Sequence, residues 1–181
     1  MFIVPRVSRK EAENLLREGR KFFRFLRNPP LKNIELIFIP FYIFEILLSK
    51  EGGQQSVNLA VDGLLGHAVL FVGDNLVFND HPGIPILNCE ITLSQARKLV
   101  LEEYRALLLE YSLKTRSFSE IEENFKGRKI YYPFWVGYFR KKRGYDFKAL
   151  DAVSAEIQGV KMRRVFIRAF RQSAGIEEYN S

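Results

Sequence analysis

The sequence predicts an α+β protein made of two related repeats, each a helix packed on antiparallel strands. Two observations predict it, because two patterns recur in the same order. Residues 7–12 and 91–96 carry the helix openings Val-Ser-Arg-Lys-Glu-Ala and Ile-Thr-Leu-Ser-Gln-Ala. Residues 39–43 and 132–136 then carry similar aromatic segments that contain Pro-Phe. Since repeats decide an architecture before local patterns do, we expect an internal duplication.

The spacing of these matches predicts the domain boundaries. We expect a first repeat over residues 1–79, a connection over 80–90 and a second repeat over 91–171. The matched helix openings are 84 positions apart, whereas the matched prolines are 93 positions apart. The second repeat therefore carries an insertion, which we expect at about 112–127. Residues 172–181 form a polar tail.

Each predicted helix opens with a capping box. Ser8 with Glu11, and Thr92 with Gln95, have the three-residue spacing of this motif. In a capping box the two side chains accept hydrogen bonds from backbone N–H groups at the start of the helix. The first helix is expected to end before Pro29, because proline interrupts helical hydrogen bonding.

Each helix is followed by residues that favour strands. Residues 34–48 and 129–139 are rich in Ile, Phe, Tyr and Val, and return strands are expected at 56–61 and 145–150. Neither of the two aromatic strands, 34–48 and 129–139, alternates cleanly between apolar and polar side chains, which indicates that both of their faces are covered. The proline in each aromatic segment predicts a sheet edge or a bulge, because proline cannot donate to a ladder.

An Asp-containing turn follows each return strand, beginning at Asp62 and at Asp151. Residues 67–72 are then predicted to form a strand. Residues 160–170 fit either a strand or a helix, and we favour the strand because apolar side chains recur there at even spacing.

The order of helix, hairpin and Asp turn resembles the PepSY domain. That family opens its helix with Ile/Val-Ser/Thr-x-x-Glu/Gln-Ala, which residues 7–12 and 91–96 match. It also carries a Val-Asp-x-x-Thr-Gly-Glu-like turn, to which the segments beginning at Val61 and Leu150 are similar. The resemblance implies a tandem of such modules with a regulatory or interaction role, sometimes inhibition of a peptidase. It implies no site residue.

Composition predicts a globular chain with a sizeable core, since 47% of its 181 residues are hydrophobic. One cysteine, Cys89, leaves no internal disulfide, and neither a secretory signal nor a membrane-spanning segment is evident, so we expect a cytoplasmic protein. The net charge of +7 comes from the second half of the chain. Residues 1–90 hold ten basic and ten acidic side chains, and residues 91–181 hold eighteen and eleven.

No catalytic, cofactor or metal site is predicted. His67, His81 and Cys89 are not related by any metal-binding or nucleophile spacing. Asp62 and Asp151 occupy matched positions, which admits a pair of catalytic carboxylates. The favoured interpretation is structural, because Asp in a turn accepts local backbone hydrogen bonds.

One candidate binding surface combines aromatic and basic residues of the two repeats. Its members are Phe41, Tyr42, Phe134, Trp135, Lys141, Lys142, Arg143, Arg163 and Arg164. The aromatic rings provide stacking faces for nucleic-acid bases and the cations contact phosphates. The favoured alternative is that the aromatic rings fill the core and the basic run is a solvated hairpin tip.

These observations favour a non-enzymatic protein-binding or regulatory module that engages another protein, or a second copy of itself, through a sheet edge or the aromatic strands. The alternative is binding of single-stranded DNA or RNA by the basic second half. An enzyme of unknown type is the third hypothesis. Contact between the basic face of the first helix and an anionic membrane is not favoured, since a charged outer face is usual for a packed helix.

Overall fold

The computed structural model confirms the α+β class, with three helices and seven strands among the residues that it describes. It describes residues 1–18, 30–50, 53–71, 76–79, 83, 86–115, 126–142 and 144–175. The helices are α1 (Arg9–Glu18), α2 (Leu93–Thr115) and α3 (Val160–Ser173). The strands are β1 (Phe2–Ile3), β2 (Leu31–Lys50), β3 (Gly53–Asp62), β4 (Ala68–Leu70), β5 (Phe78–Asn79), β6 (Gly127–Arg140) and β7 (Tyr145–Asp151).

The strands form one mixed sheet in the order β4-β3-β2-β6-β1-β5, with β7 also paired to β6. The two hairpins, β2–β3 and β6–β7, are antiparallel as predicted, while β1 runs parallel to β6. Phe41 lies opposite Asp62 in the first hairpin, and Phe134 lies opposite Asp151 in the second. The two hairpins therefore share one register relative to their prolines and Asp turns.

The prolines do not lie on edge strands, so that part of the prediction is wrong. β2 lies between β3 and β6, and β6 also has partners on both sides. The O atoms of Pro40 and Pro133 accept hydrogen bonds from Gly63 and Ala152 in the Asp turns. Because N–H and C=O of one strand residue point to the same side, each missing proline N–H faces a turn, where the ladder has ended.

The chain folds into two compact units, and each is discontinuous in sequence. Unit 1 comprises Met1–Ile39, Val77–Leu87 and Tyr131–Ser181, and unit 2 comprises Pro40–Leu76 and Asn88–Ile130. Helix α1, from the start of the chain, therefore belongs with the β6–β7 hairpin, and α2 belongs with the β2–β3 hairpin. Each unit combines the helix of one predicted repeat with the hairpin of the other.

In unit 1 both faces of the β6–β7 hairpin are covered. Ala12 and Leu16 of α1 are buried in one cluster with Phe139 and Leu150 of the hairpin. Side chains on the opposite face meet α3, where the Phe166 ring lies edge-on to Phe134 and Phe147, with centroids 5.3 and 6.2 Å apart. Successive strand residues alternate between these two helices, as the pleat requires.

In unit 2 the helix packs on one face of its hairpin in the same way. Tyr42, Phe44, Ile46, Leu59 and Val61 of the hairpin are buried with Ala96, Val100 and Tyr104 of α2. The aromatic and β-branched side chains that predicted these strands thus form the core.

The segment after the second Asp turn corrects the prediction, because residues 160–173 form helix α3 rather than a strand. Val165, Phe166 and Ala169 are its buried residues, and they share one helical face. The even spacing of Met162, Phe166 and Phe170 fits both structures, since residues four apart also lie on one face of a helix. In unit 2 the predicted strand is confirmed as β4.

The predicted insertion at about 112–127 is described only at its ends. Helix α2 continues to Thr115 and β6 begins at Gly127, and residues 116–125 lie outside the described residues. The predicted end of the first helix, before Pro29, and the last part of the polar tail also lie outside them.

Candidate functional site

An aromatic side chain ties the start of the helix to the hairpin in each unit. In unit 2 the Tyr42 hydroxyl donates a hydrogen bond to the Ile91 O atom at 3.0 Å. In unit 1 the Trp135 Nε1–H donates to the Val7 O atom at 2.8 Å. These residues occupy matched positions in the sequence, so Trp replaces Tyr while the acceptor and its place in the fold stay the same.

Backbone hydrogen bonds repeat the same connection. The N–H groups of Arg6 and Val7 donate to the Ala152 O atom at 2.8 and 2.9 Å in unit 1. In unit 2 the N–H groups of residues 90–91 donate to the Gly63 O atom at 2.8 and 3.1 Å. Each Asp turn therefore holds the segment that precedes the helix of the other predicted repeat.

The Asp62 carboxylate is fully buried and holds the turn of unit 2. Its Oδ1 atom accepts hydrogen bonds from the N–H groups of Leu64 and Leu65 at 3.1 and 2.7 Å. Its Oδ2 atom accepts from the N–H of His67 at 2.7 Å. The His67 Nδ1 atom lies 3.3 Å from Oδ2 without the geometry of a hydrogen bond, so the imidazole is a neighbour rather than a partner.

Asp151 does the same in unit 1. Its Oδ1 atom accepts hydrogen bonds from the N–H groups of Val153 and Ser154 at 2.7 and 3.0 Å and from the Tyr132 hydroxyl at 3.1 Å. Burial and the charge of Asp151 raise the pKa of Tyr132, so this hydroxyl stays a donor. The two carboxylates lie in different units and each is taken up by its own turn, as the structural interpretation expects.

The aromatic members of the predicted binding surface have little exposed area. Phe41, Tyr42 and Phe134 are buried, with 6%, 8% and 3% of their surface exposed, and Trp135 is half-buried. A nucleic-acid base cannot stack on a buried ring unless the fold opens. These positions therefore build the core rather than a stacking face.

The basic members of that surface lie in unit 1. The Lys141 Nζ atom is 2.5 Å from Asp146 Oδ2, and the Arg163 Nη2 atom is 2.8 Å from Asp146 Oδ1. Lys142 and Arg164 are exposed. Arg143 lies outside the described residues.

A cleft of about 240 Å³ opens in unit 1 beside strand β7, and we call it the cationic cleft. Its described lining includes the cationic side chains Arg17, Lys141, Lys148 and Arg163 and one carboxylate, that of Asp146. Its apolar floor is formed by Phe139, Phe147 and Ala149. The cleft thus joins an apolar floor to a positively charged rim.

Two of the rim cations are held in place by aromatic rings and backbone. The Lys148 Nζ atom donates to the Leu16 O atom at 3.3 Å and lies 5.0 Å from the centroid of the Phe139 ring. The Arg163 guanidinium lies 4.3 Å from the Phe147 centroid, and its Nη1 atom donates to the Phe147 O atom at 2.9 Å. Cations over aromatic rings are attracted by the negative ring face.

The Asp146 carboxylate of the cleft is paired with two cations, Lys141 and Arg163. Burial raises the pKa of Asp146, but hydrogen bonds from Lys141, Arg163 and the Phe147 N–H outweigh it and lower the pKa to about 2. Asp146 is therefore ionised at neutral pH and cancels part of the positive charge. The rim keeps an excess of cations.

The matched positions of unit 2 are apolar. Aligning the two hairpins by their register places Leu59 where Lys148 lies and Val57 where Asp146 lies. Leu59 is fully buried, and Val57 packs against the same core. Position 101 of α2, which matches Arg17 of α1, is a leucine that also packs there. Sequence reasoning noted Arg17 only as part of the basic face of the first helix and missed Lys148 and Asp146, and a position-by-position comparison of the two units is the signal that finds them.

A second feature that the sequence analysis missed is the exposure of Tyr145. This tyrosine begins β7 at the hairpin tip and has 71% of its surface exposed. It is the one aromatic side chain with large exposure among those whose burial the structure describes. Helix α3 runs nearby and carries five basic and no acidic side chains.

Other kinds of site find no support within the described residues. No group of three or more His, Cys, Asp or Glu side chains there is arranged to hold a metal ion. No helix in the same part of the chain has the length and apolar character needed to span a bilayer.

Comparison with known proteins yields no relative of this chain. No family model, no curated protein and no solved structure matches it significantly. Its function must therefore be argued from the geometry above.

Proposed function

We propose that this chain is a non-enzymatic binding module whose cationic cleft holds an acidic segment of a partner protein. One observation carries the proposal: three positions that are apolar and packed in unit 2 are charged in unit 1 and border an open cleft. In unit 1 Lys148 is half-buried and Arg17 is exposed, and both side chains border the cleft. An acidic segment seated in the cleft would place its carboxylates beside these two cations.

The chemistry of the cleft supports a peptide with both apolar and acidic side chains. Its apolar floor suits one aliphatic or aromatic side chain, while rim cations such as Arg17 and Lys148 suit the carboxylates beside it. Its volume of about 240 Å³ is below the range usual for drug-sized ligands and cofactors. A single anchoring side chain of a protein segment fits this space.

The two units are proposed to derive from one ancestral helix-and-hairpin by duplication. Support comes from the matched aromatic donors, the matched helix-start hydrogen bonds and the shared hairpin register. The bridge between Leu150 and Ile157 in unit 1 also matches the pairing of Val61 with Ala68 in unit 2. The PepSY-like helix openings and Asp turns are consistent with a tandem of such modules and with a regulatory role.

Binding of synthetic peptides to the full chain tests the proposal. The probe is a fluorescent peptide with one Phe flanked by Glu residues, and matched peptides replace Glu by Gln or Phe by Ala. At 50 mM salt we expect the fluorescence anisotropy to increase on addition of the protein only with the Glu-Phe peptide. At 200 mM salt we expect weaker binding of this peptide, because salt screens the charges. Equal binding of the Gln peptide contradicts the proposal, as does no binding at low salt.

A pair of lysine variants localises the site. Lys148→Gln removes a rim cation and should weaken peptide binding at least fivefold, in the range of single charge contacts. Lys98→Gln makes the same change on the exposed face of α2 and should leave binding unchanged. Equal effects of both substitutions show non-specific attraction and exclude the cleft.

A further inference from the structure

We infer that unit 1 has a second binding surface, separate from the cationic cleft, which takes single-stranded nucleic acid by stacking a base on Tyr145. This tip surface consists of Tyr145 and the exposed cations Arg140, Lys142, Lys161 and Arg164. It replaces the buried aromatic positions that the sequence had indicated for this role.

The Tyr145 side chain is exposed at the tip of the hairpin rather than buried in the core. Tyr145 and Phe147 lie on the same face of β7, because side chains two apart in a strand point the same way. The Phe147 ring is covered by α3, with its centroid 5.0 Å from that of Phe170. Tyr145 lies two residues nearer the tip and has 71% of its surface exposed, so one face of its ring is open to a partner.

Exposed cations occur in the same hairpin tip and at the start of α3. Arg140 lies directly opposite Tyr145 in the hairpin register, and Lys142 follows in the turn. The first turns of α3 adjoin the same strand through the ion pair between Arg163 and Asp146, and they add Lys161 and Arg164. We expect Arg140 and Lys142 to contact the phosphates beside a base stacked on Tyr145 and the cations of α3 to contact phosphates farther along the strand.

The adjacent acidic group does not repel a polyanion. Asp146 follows Tyr145, but its carboxylate is bound by Lys141 and Arg163. Farther along α3, the basic side chains of Lys161, Arg164, Arg168 and Arg171 recur at three- and four-residue spacing, which places them in a row about 15 Å long. Such a row can follow a phosphate backbone.

Exposed base faces distinguish a single strand from the other polyanions. Every base has a face that stacks on an aromatic ring, whereas a duplex keeps its base faces stacked inside. An anionic lipid surface or an acidic peptide matches the cations of the tip surface but gives the Tyr145 ring no base to stack on. The combination of a protruding ring and cations therefore favours a single strand.

Anisotropy with a fluorescent dT12 oligonucleotide at 50 mM salt tests the inference on the full chain. The comparison probe is an abasic 12-mer, which keeps the phosphates but lacks bases. We expect dT12 to bind more tightly than the abasic strand. Tyr145→Ser should weaken dT12 binding about tenfold, as expected for one lost stacking contact, and leave the abasic strand unaffected. Tyr145→Phe should retain the affinity because its ring still stacks.

A charge-matched pair of double variants tests the cations. Lys142→Gln with Arg164→Gln should reduce the slope of log affinity against log salt by about 1.4, at about 0.7 for each lost phosphate contact on a single strand. Arg97→Gln with Lys98→Gln, on the exposed face of α2, should leave the slope unchanged. Lys148→Gln should also leave dT12 binding unchanged, which separates this surface from the proposed peptide cleft.

Several results would overturn the inference. These are no dT12 binding at 50 mM salt, equal affinity for dT12 and the abasic strand, and equal binding by the Tyr145→Ser variant. Vesicles containing phosphatidylserine provide the membrane comparison. If they bind the chain and lose that binding with Tyr145→Ser while dT12 does not, the surface contacts lipid instead.

Discussion

Units 1 and 2 use the same connections between helix and hairpin but differ in what they build around them. Both have a turn carboxylate, an aromatic side-chain donor and a helix-start segment bound to the turn. Unit 2 fills the remaining positions with apolar side chains, whereas unit 1 has a charged cleft and an additional basic helix. The comparison teaches that a few hydrogen-bonded positions maintain the arrangement, while the neighbouring positions are open to change.

The turn carboxylates give the strongest test of this comparison. Asp62→Ala leaves three backbone N–H groups without their acceptor in a buried turn, and we expect a loss of about 4 kcal/mol in the free energy of unfolding. Asp151→Ala affects a more exposed turn, where water can replace the carboxylate, and should cost about 2 kcal/mol. Urea unfolding followed by circular dichroism measures both. Equal losses contradict the difference in burial.

One residue in each Asp turn has a left-handed backbone conformation, and substitutions at these two residues should change the stability in opposite directions. Gly66 has φ +78°, and a Cβ atom there would lie 2.6 Å from Ile91 Cδ1 and 2.7 Å from Leu99 Cδ1. Gly66→Ala should therefore cost about 2 kcal/mol. Ala155 occupies the matched position of unit 1 with φ 64°, so Ala155→Gly relieves strain and should stabilise the chain by roughly 0.5 kcal/mol. Thermal and urea unfolding measure both changes, and a loss of stability in Ala155→Gly would refute the match.

Removal of the aromatic donors tests whether the two connections are equivalent. Tyr42→Phe keeps the ring and leaves the Ile91 O atom without its donor, at an expected cost of about 1 kcal/mol. Trp135→Phe removes the donor to Val7 and also part of the packed ring, so about 2 kcal/mol is expected. The midpoints of urea unfolding give the comparison. A stability unchanged in either variant would show that the hydrogen bond is not structural.

The ion pairs around Asp146 give the smallest expected effect, and unit 2 has Val57 at the matched position. The folded-state pKa of about 2 lies below the ordinary value of 3.8. Ionised Asp146 therefore stabilises the fold above about pH 4, and this contribution disappears as the pH falls through 2. The stability difference between the parent chain and Asp146→Asn should be largest near pH 7 and vanish near pH 2. A difference that does not change with pH would mean that the ion pairs contribute nothing.

Local patterns predicted the element types well because their causes are local. The Gln95 Oε1 atom accepts from the Thr92 N–H at 2.8 Å, and the Ser8 Oγ atom accepts from the Glu11 N–H at 3.3 Å, as the capping boxes required. The hairpins and the Asp turns also follow from residues close in sequence. The bounds of β2, β3, β6 and β7 and the place of β4 were predicted to within a few residues, whereas the two-residue strands β1 and β5 were not predicted.

Local patterns do not contain the information that pairs each helix with the hairpin of the other predicted repeat, nor the information that forms the candidate sites. A repeat shows that two helices and two hairpins are alike, but either helix fits either hairpin, so likeness alone does not pair them. The cationic cleft arises from differences between the two units, such as Lys148 in place of Leu59, and a search for similar residues overlooks such differences. The exposure of Tyr145 depends on where α3 ends up, and that segment was predicted as a strand.

Each helix packs on the hairpin that lies on the other side of residues 80–90 in the chain, and this pairing predicts how the folded chain responds to a protease. Helix α1 precedes the connecting residues 80–90 in the chain, while the β6–β7 hairpin that buries it follows them, and the converse holds for α2. A cut in that connection would leave two fragments, each of which still holds the other through a buried helix. The joining segment is therefore dispensable for cohesion once the chain has folded, and nicked material should co-elute as a single species until it is denatured.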